Sequence, residues 1–191
     1  MLGWQFRLIK ALAFIHKKHL LSQVDFQNYY EDQHAPLAKS LLAFESYERN
    51  YIDPVIHCPI KDLGSISVFK YASEKSLGIL AEQMSSTPGD TLRKDELNFM
   101  NVPLNFYVFT NSTDESSFEF KRKIFYVARE HNQLRRLDGI RGIEKISENL
   151  IENPQSMIGI PEYGVSEELS VEDLTMVASN FPEVMLTNTS S

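Results

Sequence analysis

Residues Phe6–His16 read F-R-L-I-K-A-L-A-F-I-H. Successive side chains on a strand point to opposite faces, which places Phe6, Leu8, Lys10, Leu12 and Phe14 on one side and Arg7, Ile9, Ala11, Ala13 and Ile15 on the other. Both faces are largely apolar, so a sheet containing this strand must be covered on both sides. The next segment predicts one cover. Ser22 precedes Asp25 in a near capping box, and Phe26, Tyr30, Leu37 and Leu41 fall within about 60° of one another on a helical wheel. That spacing predicts an amphipathic helix, which Pro36 kinks because it cannot donate to the carbonyl of Asp32.

Further along, strand regions are predicted over 44–56 and 64–72, and a helix runs from the Ser73 cap through Met84. A short acidic and aromatic segment, Asp95–Phe99, leads to a fourth strand over Pro103–Thr110. The order β-α-β-β-α-β is the split βαβ plan of an α+β, ferredoxin-like fold, with both helices on one face of an antiparallel sheet. Strand four repeats the problem of strand one, since Leu104, Phe106 and Val108 alternate with Tyr107 and Phe109. A second sheet, from another copy or from the same chain, closes such a face into a barrel. The expectation is that this barrel encloses a chamber for a small apolar or aromatic ligand.

The polar run N-S-T-D-E-S-S at 111–117 is the best linker, dividing the chain into 1–112 and a C-terminal α/β extension over 113–191. Beyond it the reading is a strand over 118–128, a helix over 143–152, a strand over 157–165, a capped helix over 170–180 and a fraying tail from Thr187. This is either a degenerate second ferredoxin-like unit or an unrelated extension.

The chain has 191 residues, 42% hydrophobic and 24% charged, which fits a globular fold with its own core. No apolar run approaches the roughly 20 residues of a membrane span, and Arg7 and Lys10 break the N-terminal stretch as a signal peptide, so the expected location is cytoplasmic. Net charge is -7, and eight basic residues over 121–145 precede eight acids with no base from 146 onward. Mutual neutralisation on one surface explains that pattern better than nucleic-acid binding, which no helix-turn-helix, RNA-binding or zinc signature supports. The single Cys58 makes no disulfide or CxxC pair, and although His57 adjoins it, neighbours on an extended segment face opposite ways. His16 and His19 lack further metal ligands and read as solvent-exposed cations, and the glycine pairs 139/142 and 159/164 form no nucleotide loop.

The best polar candidate is His34, on the edge of the helical apolar stripe and two residues before Pro36. An imidazole with an ordinary pKa near 6.5 serves as base or acid near neutrality. Asp95 and Glu96 are placed to orient it or share its proton.

These residues also resemble a family. The run H-K-K-H-L-L-S-Q-V-D-F-Q-N-Y-Y-E-D-Q-H-A-P-L-A-K-S-L-L-A-F-E-S-Y-E-R-N-Y (16–51), followed by K-D-E-L-N-F-M (94–100), resembles the EthD-like domain of the dimeric α/β-barrel superfamily. The resemblance implies a ferredoxin-like unit that pairs through its sheet, as a homodimer, without a cofactor or metal. It implies proton-transfer chemistry of lyase or isomerase type, such as dehydration or decarboxylation, on a small apolar or aromatic molecule. It assigns catalysis to His34, Asp95 and Glu96, and substrate contact to Phe26, Tyr29, Tyr30, Asn50 and Phe99. A non-catalytic ligand-binding protein is the alternative reading.

Overall fold

The computed structural model describes residues 9–111, 119–151 and 157–190. The linker proposed at 111–117 therefore falls almost wholly outside the described residues. The doubly apolar segment forms strand β1 (Ile9–His16), and Ser22 caps helix α1 (Gln23–Tyr29) by accepting from the Asp25 amide. A π-helical turn (Tyr30–His34) joins α1 to α2 (Ala35–Leu41), and β2 (Ser46–Ile52) and β3 (Leu63–Tyr71) follow. Ser73 caps α3 (Glu74–Met84). The acidic and aromatic segment is the end of a full helix, α4 (Thr87–Phe99), which sets it against α1 rather than in a loop. Strand β4 (Phe106–Asn111) completes the first unit.

In the second half come β5 (Arg122–Phe125), β6 (Ile143–Ser147), β7 (Leu150–Ile151), β8 (Glu162–Val165), α5 (Val171–Asn180) and β9 (Met185–Ser190). The helix expected over 143–152 is corrected to the strands β6 and β7. Ile143, Ile146 and Leu150 mimic helical spacing, but pairing with β8 and β4 prevails, and Asn149 takes a left-handed φ of 45° at the bend. The tail expected to fray is also corrected, since β9 pairs with both β2 and β5.

All nine strands form one sheet in the order β6-β8-β5-β9-β2-β3-β1-β4-β7. Only Glu148 and Asn149 separate β6 from β7, so the two ends of that order meet and the sheet curls into a barrel. β4-β1-β3-β2 is the ferredoxin-like arrangement, and its open face is roofed by strands of the same chain. Phe125 of β5 and Met185 of β9 pack against that face.

Alternation fixes what each face holds. Lys10, Leu12 and Phe14 point inward and Ala11, Ala13 and Ile15 outward toward the helices, with neighbouring strands in register. Inside, Leu12, Phe14, Ile66, Val68, Phe125, Ile160 and Met185 pack as one cluster, with the rings of Phe14 and Phe106 stacked at 4.4 Å. Beyond it lies a buried ion network. Glu162 accepts from Lys10 at 2.6 Å and Lys123 at 3.0 Å, and Lys123 also reaches Glu48 at 2.7 Å. The expectation that His34 overlooks a chamber inside the barrel is thereby corrected: among the described residues these side chains pack the barrel side, with an open crevice beside Ile52, Ile60, Leu63 and Lys17, and the cavity that His34 lines is on the helix-covered face.

On the other face, α1 is held close by Gly64, where a β-carbon would lie 2.6 Å from the Phe26 ring. Among the described residues no helix is long and apolar enough to cross a membrane.

Candidate active site

A cavity of about 360 Å³ lies between the helices and the outward face of β1, β3 and β4. The sequence explains its position. Ala11 of β1 and Ala38 of α2 are small where they face each other's layer, so sheet and helices do not fully interdigitate. Ile15, Tyr30, Tyr47, Phe69, Met84 and Tyr107 line the space with His34 and Glu96.

The π-helical turn puts His34 there. Pro36 has no N–H to offer Asp32, and the chain adapts one residue earlier, where the Ala35 amide reaches back five residues to the Tyr30 carbonyl. The wider turn brings Tyr30 and His34 onto the same buried side, 1% and 4% exposed. Their rings meet edge to face at 5.0 Å, and Phe99 packs against both.

His34 Nδ1 lies 2.7 Å from the Asp95 carboxylate, whose other oxygen accepts from the Tyr29 hydroxyl at 2.8 Å. Tyr29 in turn accepts from the Asn98 amide at 2.9 Å. A carboxylate on Nδ1 fixes that nitrogen as the donor and leaves Nε2 with its lone pair. Nε2 makes no hydrogen bond among the described residues. Burial holds the His34 pKa below its ordinary value, and Asp95 offsets only part of that, so the ring is neutral near neutrality.

A second chain of hydroxyls crosses the floor. Tyr47 donates to Tyr30 at 2.6 Å, and Tyr30 lies 3.1 Å from Ser67. Desolvation pushes the Tyr30 hydroxyl up to about 12, so it stays protonated. Glu96 faces the cavity without a hydrogen bond or ion pair among the described residues, and burial raises its carboxyl above the usual range.

The structure thus brings together His34, Asp95, Glu96, Tyr30 and Phe99. Tyr29 and Phe26 sit behind them: Tyr29 is spent on Asp95, and Phe26 is enclosed by Tyr30, Tyr51 and Phe99. Asn50 is on the wrong side of the sheet. By alternation Tyr47, Arg49 and Tyr51 face the helices, while Asn50 points into the barrel, donating to Glu48 and accepting from Thr189. Tyr47, Ser67 and Tyr107 were missed, although the same alternation would have put them on the helix-covered face.

The other candidates stand apart. Cys58 donates to the Ile60 carbonyl and its thiol is pushed up by burial, while His57 is exposed. His16 is buried rather than solvated, at 5% exposure, because it ends β1 against Phe106. Among the described residues no group of His, Cys, Asp and Glu could hold a metal ion.

One consequence is testable in the orientation of the imidazole. Tyr29→Phe removes a donor from Asp95 and makes that carboxylate a stronger acceptor, so the titration midpoint of His34, followed by NMR, rises toward 6.5.

Comparison with known proteins adds the following. The EthD domain family matches residues 18–102. An ethyl tert-butyl ether D family protein from Bacillus halodurans is 19% identical, covering 53% of this chain and 95% of its own, with a TM-score of 0.40. A provisionally named monooxygenase from Fusobacterium nucleatum is 6% identical over 99% of this chain and 94% of its own, with a TM-score of 0.54. A mutant chlorite dismutase from Candidatus Nitrospira defluvii, in complex with cyanide, is 8% identical over 98% and 92%, also at 0.54. At such identities the latter two speak for the fold alone. No curated protein matches the sequence. Residues 18–102 are thus similar to the EthD domain, within a chain whose fold is a ferredoxin-like α/β barrel.

Proposed function

We propose that the protein is an enzyme that uses His34 Nε2 to move a proton on a small apolar or aromatic substrate seated between the helices and the sheet. The observation that carries this reading is the pairing of His34 Nδ1 with Asp95 at 2.7 Å, in a ring that also lines an apolar cavity. A neutral imidazole oriented this way is a general base. Asp95 stabilises the imidazolium formed as the proton transfers, as a second-sphere carboxylate does for other histidines. Tyr107 lines the same space, and its phenol is suited to a developing enolate or phenolate oxygen. A lyase- or isomerase-type step asks only for such a base and such a donor.

A solvent-exchange experiment tests the proposal. Small aromatic ketones that bind the cavity are expected to take up deuterium at the carbon next to the carbonyl in D2O, and Asp95→Asn is expected to slow that uptake at least about tenfold. Ligands that bind without any enzyme-dependent exchange would leave a carrier function as the better account.

A further inference from the structure

The cavity is charged on one side only. Glu96 is the one acidic or basic side chain, apart from the neutral His34, that lines it among the described residues; neither lysine nor arginine does. Arg93, one turn back on α4, turns away and is committed to Asp90 at 2.7 Å and to the Met84 carbonyl at 2.9 Å. The Glu96 carboxyl has no hydrogen bond or ion pair among the described residues, whereas Asp95 beside it holds two donors. Arg93 therefore acts on Glu96 only through space, opposed by Asp95, and a half-buried carboxyl without a direct partner is costly, so a ligand can supply the contact that the protein withholds.

The walls agree with that sign. Tyr30, Phe44, Tyr47, Phe69, Tyr107 and Phe109 surround the space, and Tyr47 and Phe69 stack at 4.6 Å. Aromatic faces attract cations and repel anions. The volume of about 360 Å³ lies at the lower end of small-molecule sites, enough for a compact planar body.

We propose that this cavity selects a protonated amine carried on a flat apolar body, with Glu96 as its counter-charge. The inference rests on the reading of the cavity as a ligand site and adds the charge of the ligand. A carboxylate would meet a carboxylate there, with no cation to receive it. Within the proton-transfer chemistry proposed above, this favours abstraction of a proton near the amine over loss of a carboxylate group.

The test uses three probes of one shape on the full chain: 2-naphthylmethylamine, 2-naphthalenemethanol and 2-naphthoate, titrated by calorimetry at about pH 7, where amine and carboxylate are both ionised. The amine is expected to bind at least about tenfold tighter than the alcohol, and the carboxylate weakest. In Glu96→Gln the amine and the alcohol are expected to fall within about twofold of each other, because the counter-charge is gone while the aromatic walls remain. Equal binding of amine and alcohol to the native protein, a carboxylate that matches the amine, or a preference that survives Glu96→Gln overturns the charge assignment and leaves the cavity a ligand site. Failure of all three probes to bind overturns both readings together.

Discussion

Glu162→Gln is expected to destabilise the protein by about 3–5 kcal/mol, as measured by urea unfolding near neutral pH. Glu162 is 2% exposed, and its two oxygens take Lys10 at 2.6 Å and Lys123 at 3.0 Å. Among the described residues, Glu48 on Lys123 adds a second carboxylate to this network. Glutamine keeps the shape but removes the carboxylate that both lysines face, and a low-dielectric interior penalises the loss of such an opposing charge far more than a surface does. The network also joins the halves of the sheet, since Lys10 and Glu48 come from β1 and β2 and Glu162 and Lys123 from β8 and β5. Its pH dependence has a definite sign. Burial alone would raise the Glu162 carboxyl, but the charges and hydrogen bonds of Lys10 and Lys123 outweigh it and hold the pKa down from 4.5 to about 2. A depressed carboxyl contributes stability that is fully present above its unfolded value and is lost as pH falls through the folded one. The native protein therefore loses this contribution between pH 4.5 and about 2, and Glu162→Gln removes that part of the acid transition.

His34→Ala is expected to reduce turnover of any substrate of the cavity by about 10²- to 10⁴-fold, the usual worth of a positioned general base. The loss should fall on kcat more than on KM, because Nε2 acts on the proton in transit and the apolar walls that bind the substrate are untouched. Truncation also leaves Asp95 without its imidazole in a site that is 13% exposed, so His34→Gln, whose amide can still donate to Asp95, serves as a second variant that preserves packing. Both variants should lose activity alike if proton transfer is the role of the ring. Full turnover by a folded His34→Gln would remove the histidine from the mechanism.

Much of this was written in the sequence, and the rest was hidden for identifiable reasons. The doubly apolar β1 announced two covering layers, and the α1 cap, the α5 cap and the pairing of His34 with Asp95 stand where their residues suggested. Alternation alone treats two apolar faces as equal, so it does not tell which layer holds the cavity. The difference lay in side-chain size. Ala11 and Ala13 face the helices where space remains, and Leu12 and Phe14 fill the barrel. The family resemblance places Asn50 at the site, whereas its parity opposite to Tyr47 and Tyr51 puts it inside the barrel. Ile143, Ile146 and Leu150 carry a helical period that the sheet overrides through the bend at Asn149. The ion network joins residues up to 152 positions apart, and no local pattern marks such partners.

The account turns on a buried, neutral imidazole whose Nδ1 is held by Asp95 and whose Nε2 meets the cavity. Nitrogen-edited NMR of the histidine ring, followed through a pH titration, reads both properties at once. The account predicts the Nδ1–H tautomer for His34 near neutrality, with a midpoint below 6.5 that moves on Asp95→Asn. An Nε2–H tautomer, or a midpoint at or above 6.5 that ignores the Asp95 change, would contradict it.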